Sequence, residues 1–259
     1  MIFSILSVGL YRIVSSQIQW VGRIEERIVS EYLAKSACSY AIAKIAKDET
    51  SYDTLYELGQ SQSQQLGRGK FIYTLQDEES KIPINVVSSD ILERLPGFNL
   101  GVAEAMVQSS LKPFHLKEEL LTIEEMSEAL FVESKDFITV YSSGKVNVNT
   151  APSEILTALG FDEALVTMVM NFRQGSDHQP ATSDDGIFES TGDIFTRLNS
   201  FGGLSEAQQD TLNQILGQGL LTVTSENFSV SVQTEMDDHP LIHYTIVIGT
   251  KGIKQWRES

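Results

Sequence analysis

The side chains suited to chemistry are few, and their spacing rules out most of it. Four histidines, His115, His178, His239 and His243, are the whole stock. The pair in DDHPLIH is spaced i,i+4, which on a helix would offer two imidazoles to one metal. Pro240 forbids a helix there, and on a strand the same spacing leaves the rings about 13 Å apart. The stretch reads as a plain turn. Carboxylates gather at Asp77-Glu78-Glu79, Asp184-Asp185 and Asp237-Asp238. Such oxygen-rich turns suit a hard cation, and calcium is the one cofactor they point to. None follows the spacing of a calcium loop, so each reads first as a solvated turn. The polar loop QGSDHQPATSDDG, residues 174–186, is long for a compact domain and reads as partner-facing or mobile.

Nucleophile chemistry finds no better footing. There is no Gly-x-Ser-x-Gly elbow, no Walker loop, no Gly-x-Gly-x-x-Gly and no Cys-x-x-Cys. The single cysteine, Cys38, has no internal disulfide partner and leaves the compartment open. No residue is assigned to catalysis, to a cofactor or to a metal, and the chain reads as non-enzymatic. Its 35 acids against 19 bases give a formal charge of −16 with no compensating Lys/Arg cluster. Phosphate backbones are repelled, so nucleic acid is a poor partner and is not assigned as one.

The elements that must carry these residues are better defined. From Val14 the apolar positions Val14, Ile18, Val21, Ile28 and Tyr32 recur at helical spacing, with Arg23, Glu26, Arg27, Glu31 and Lys35 between them. One long helix follows. Small residues in AKSACSYAIAKIAK let it press near Ala37, Ala41 and Ile45 against something flat, for which a sheet fits. The polar run from Glu49 to Gly69 ends it. KFIYTLQDEESKIPIN alternates on both sides of a polar turn at Asp77 to Ser80 and predicts a β-hairpin. NFSVSVQTEM and LIHYTIVIG alternate likewise, and GIKQW can finish an edge. Two strands bury too little surface to stand alone, so the hairpin should join the C-terminal strands in one antiparallel sheet.

The N-terminus MIFSILSVGLYRIVSSQIQW contains no acid, and the first carboxylate is Glu25. A membrane span needs ~20 apolar residues. Arg12 near its centre would cost about 2.5–3.5 kcal/mol. The expectation is a clipped or misassigned start, with preceding apolar residues moving Arg12 to the membrane edge, where its stem can snorkel. The alternative is an amphipathic or core helix of a soluble protein.

The middle of the chain repeats itself. KIPINVVSSDILERL from Lys81 aligns without a gap on KVNVNTAPSEILTAL from Lys145, an offset of 64. Each copy is a short extended segment, a capping-type helix start and then a break, Leu-Pro-Gly-Phe or Leu-Gly-Phe, before a second helix. The middle therefore reads as two helix-hairpin-helix units, echoed more loosely by LLTIEEMSEAL and IFESTGDIFTRL. Such units often grip nucleic acid through Gly-rich hairpins. LPGFN and LGFD offer few glycines among many acids, so the motif reads as scaffold.

LAKSACSYAIAKIAKDETSYDTL, YTLQDEESKIPIN, ILERLPG, VYSSGKVNVNTAPSEILTALG, FESTGDIF, LLTVTSENFSV and IKQWRES together resemble the minor pseudopilin K family of the type II secretion system, also called general secretion pathway protein K. GKVNVNTAP followed by a helix is the most specific of these. The resemblance implies an α+β, pilin-like fold, a long N-terminal helix packed on an antiparallel sheet with a large inserted all-helical domain. In that division residues 1–48 are anchor and stalk, 49–87 with 218–259 form the sheet domain, and 88–217 are the insertion. It implies a single-pass protein of the bacterial inner membrane whose body lies in the periplasm, at the tip of the pseudopilus. Its partners would be other minor pseudopilins, met through helix and sheet, and a secreted substrate or the outer-membrane channel. The family's basic leader ending in Gly is not matched by any residue here. The rival reading is a soluble binding protein that uses tandem helix-hairpin-helix units, on nucleic acid or otherwise.

Overall fold

A computed structural model describes residues 2–237, 239–250 and 252–258, with side chains from Leu10 onward. Helix α1, Ile2–Ala46, is continuous. Leu33, Ala34, Ala37, Cys38 and Ala41 are its buried face. They lie on three central strands, β2 (Gly69–Asp77), β7 (Asn227–Met236) and β8 (His239–Gly249). Alanines at the contact remove the bulk that would hold the helix off the sheet.

The sheet is antiparallel and five-stranded, in the order β1-β2-β7-β8-β9, with β1 at Gln62–Leu66 and β9 at Gly252–Glu258. Phe71, Tyr73, Leu75, Phe228, Val230, Val232, Tyr244, Ile246 and Ile248 face α1, while the alternate residues face away. As expected, Phe71–Leu75 pairs with the C-terminal strands.

Two expectations fail here. KFIYTLQDEESKIPIN is not a hairpin: β2 pairs with β1 and β7, and Ile82–Pro83 (β3) leaves the sheet. The turn residues Asp77, Glu78 and Glu79 face inward rather than into water, and their hydrogen bonds redirect the chain. The polar run that follows α1 also carries elements of its own. It forms a short helix α2, Leu55–Gly59, capped by Thr54, and then β1, whose residues are all exposed. An edge strand buries little, so its QSQQL sequence has no alternation by which to recognise it.

The helical lobe has its own core, running from Ile82 to Val223. Its two halves share one plan. β3 pairs in parallel with β4 (Ile138–Thr139), and β5 (Val146–Asn147) pairs in parallel with β6 (Leu221–Thr222). After β3 come α3 (Ser89–Glu93) and α4 (Leu100–Gln108), then α5 (Glu128–Ser134). After β5 come α6 (Ser153–Ala158) and α7 (Glu163–Arg173), then α8 (Ile194–Gly202) and α9 (Glu206–Gly217). Gly97 (φ 76°) and Gly160 (φ 102°) make the left-handed turns between the paired helices.

The stalk and the lobe leave the sheet at opposite ends. Arg27 meets Glu258 and Ser30 meets Thr234 at one end. Asp77 and Asn227, where the lobe joins, mark the other.

Candidate functional site

The surface most available for assembly is α1 itself. No residue from Leu10 to Ile28 is buried, and up to the Arg27–Glu258 pair the helix stands free of the sheet for about 25 Å. Leu10, Val14, Val21, Ile24, Ile28 and Tyr32 are exposed, with Leu10 at 64% and Val21 at 60%. At about 100° per residue these positions form one stripe, on the side opposite the alanine face that meets the sheet. A stripe of this length is an interaction surface by the ordinary rule for exposed apolar area. Among the described residues no helix is long and apolar enough to cross a membrane.

The second feature is a buried polar junction between sheet and lobe. Asp77 closes β2 and is 3% exposed. Asp77 Oδ2 accepts from Thr150 Oγ1 at 2.5 Å, Ser225 Oγ at 2.7 Å and Asn147 Nδ2 at 3.0 Å, and Oδ1 accepts the amide of Glu79 at 2.7 Å. Burial raises its pKa, and those four donors oppose the rise. Glu79 is wholly buried and accepts from Asn227 Nδ2 and from the amides of Ser143 and Asn227. Burial outweighs these donors and lifts it to about 7. Asp53 is also pushed to about 7, by burial first, with the Ser225 amide opposing and the Asp77 charge adding.

This junction explains KVNVNTAP, whose regular pattern carries no reactive group. Asn147 and Thr150 hold Asp77, and Asn147 also donates to the Asp53 carbonyl. Asn149 clamps a backbone: its Nδ2 donates to the Phe188 carbonyl and its Oδ1 accepts the Phe188 amide, both at 2.9 Å. The repeat-related Asn85 does the same to Phe114, at 2.9 and 2.8 Å. The repeat thus preserves a two-bond asparagine clamp in each half.

The other candidates fall apart from one another. Asp184 accepts from the Ser176 amide and hydroxyl, the Asp177 amide and the Thr182 hydroxyl, and Asp185 accepts from the amides of Ala181 and Thr182. The loop at 174–186 is therefore stitched by its own carboxylates, not loose. Asp237 pairs with Arg68; Asp238 lies outside the described residues. His239 and His243 are on β8, and His243 Nε2 is 2.8 Å from Ser231 Oγ. Among the described residues no three His, Cys, Asp or Glu side chains come together as a metal-holding group.

No family model matches the chain, and no curated protein matches it. A solved structure does: a chain in the crystal structure of the GspK-GspI-GspJ complex from the enterotoxigenic Escherichia coli type 2 secretion system. The two align at 15% identity over 95% of this chain and 96% of that one, with a TM-score of 0.60. Stalk helix, antiparallel sheet and helical lobe together make this a pseudopilin-like fold.

Proposed function

We propose that the protein is a non-enzymatic minor pseudopilin of a type II secretion system that sits at the tip of the pseudopilus and supports its assembly. The observation that carries this reading is the apolar stripe on the side of α1 facing away from its own sheet. A helix that uses one face to hold its domain and leaves an opposite apolar face open is built to bundle with other helices. The lobe points the same way. It lies at the end of the sheet away from the stalk, where a subunit stacked above would collide with it, and a terminal position removes the collision. Companion pseudopilins would then meet α1 and the sheet, the inner membrane would hold the stalk, and the acidic lobe would face the periplasm and the exported protein or the channel.

The test is co-purification with the companion minor pseudopilins of the same cell, together with an export assay. The double substitution Val21→Asp and Ile28→Asp places two charges on the stripe and touches nothing in either core. It is expected to abolish co-purification and cut export at least tenfold while leaving the unfolding midpoint within about 1 °C. Unchanged assembly and export would overturn the reading.

A further inference from the structure

On the face of the sheet turned away from α1, a cavity of about 310 Å³ lies between the strands and the first half of the lobe. That size is at the lower end of pockets that hold small molecules, ~300–1,000 Å³. Its charge is the reverse of the molecule's. Four of the chain's 19 bases, Lys81, Lys117, Lys135 and Arg257, line it against three acids, Glu78, Glu118 and Asp136. Two pairs are satisfied internally: Lys81 with Glu78 at 2.5 Å and Arg257 with Glu118 at 2.8 Å, the latter at the half-exposed mouth. Glu78 also accepts from Thr139 Oγ1 and Ser229 Oγ, so its oxygens are fully engaged.

Lys117 is different. Among the described residues its ammonium donates only to a neutral acceptor, the Lys135 carbonyl at 2.8 Å. Its stem comes from the 3-10 turn Lys117–Thr122, which fixes it over the cavity. Burial, and next the neighbouring Lys81 ammonium, depress it to about 8 despite Glu78, Asp136 and Glu118. Two ammonium groups facing one space with one engaged carboxylate between them leave a surplus of one positive charge. A monoanion answers that surplus, whereas a phosphate dianion would face Glu78, Glu118 and Asp136 with its extra charge uncompensated. From the sheet, Gln76 and Gln255 supply neutral amide partners, beside Thr245 and Val247.

We infer that this cleft binds a carboxylate-bearing ligand, with the carboxylate on Lys117 and Lys81 and with Arg257 closing the mouth. The carboxylate has two sources, a free small acid or the C-terminus of a polypeptide, and the recognition chemistry is the same for both. This inference does not rest on the proposed assembly role.

The full chain is titrated with N-acetylglycine at pH 7 and followed by amide chemical shifts, with N-acetylglycinamide as the neutral control. Saturable shifts of the residues around the cavity are expected for the acid and none for the amide. Lys117→Gln, which can still donate to the Lys135 carbonyl, should weaken binding at least tenfold, and Lys117→Arg should hold it within threefold. Raising the pH from 7 to 9.5 should weaken binding at least tenfold in the native chain but not in Lys117→Arg, because only the lysine loses its proton. A purely structural Lys117 would show no such pH split. Should Lys117→Gln unfold, Arg257→Gln at the exposed mouth serves instead, with an expected threefold to tenfold loss. Acetyl-tetraglycine with a free C-terminus separates the sources: tighter binding than N-acetylglycine assigns a polypeptide end, and equal or weaker binding assigns a free acid. Equal shifts for acid and amide, or undiminished binding by Lys117→Gln, would overturn the site.

Discussion

At the scale of single residues, the side chains that matter most in this chain are amides. Asn149 is 4% exposed and Phe188 is fully buried, so nothing else can serve the backbone groups that Asn149 satisfies. Truncation to Ala strands a buried N–H and a buried C=O at about 1–3 kcal/mol each. Asn149→Ala is therefore expected to lose about 2–4 kcal/mol in urea unfolding. Asn85→Ala should lose less, because Asn85 is only half-buried and water can enter. Equal losses would show that the clamp is not what holds the two halves. The asparagines were visible in the sequence as a coincidence at an offset of 64, but their partners were not. Phe114 and Phe188 lie 29 and 39 residues downstream of them, in loops of unequal length, so no fixed spacing links clamp to target. The Asp77-Glu78-Glu79 run misled for a related reason: consecutive acids normally mark a solvated turn, and only the fold brings Asn147, Thr150, Ser225 and Asn227 to them.

At the scale of elements, periodicity was reliable wherever an element has one buried face. The alternation of NFSVSVQTEM and LIHYTIVIG survives as β7 and β8, and the small-residue face of α1 meets a sheet as its composition implied. It failed where burial is total or absent: β3 and β4 are two-residue strands buried on both sides, and β1 is exposed on both. The helix-to-sheet contact gives a direct test. Ala37 is fully buried beneath the central strands, and adding a leucine there forces α1 outward or its neighbours off their rotamers. Ala37→Leu is expected to cost about 1–3 kcal/mol in thermal or urea unfolding. An unchanged midpoint would mean that α1 sits on the sheet more loosely than its packing indicates.

At the scale of the whole molecule, the junction ties two independent cores together with carboxyl groups that ionise reluctantly. In the unfolded chain Glu79 and Asp53 release their protons near pH 4, as carboxyls in water do. In the folded protein both hold them to about 7. Between those values the native state binds more protons than the unfolded state, so stability must fall as pH rises through that window. For the fully buried Glu79 alone the difference is about 3 kcal/mol. The charge of −16 acts in the same direction, since deprotonation adds to self-repulsion. Asp184 works oppositely, held below the usual carboxylate range by the Ser176 and Thr182 hydroxyls, but its contribution is lost only as pH falls below about 4. The unfolding midpoint should accordingly be higher at pH 5.5 than at pH 8. Glu79→Gln, which resembles the protonated acid at every pH, should flatten that slope. A native midpoint that does not fall between pH 5.5 and 8 would mean that water reaches the junction and the carboxyls ionise there as they do in the unfolded chain, and the lobe would then hang on its strand crossings alone.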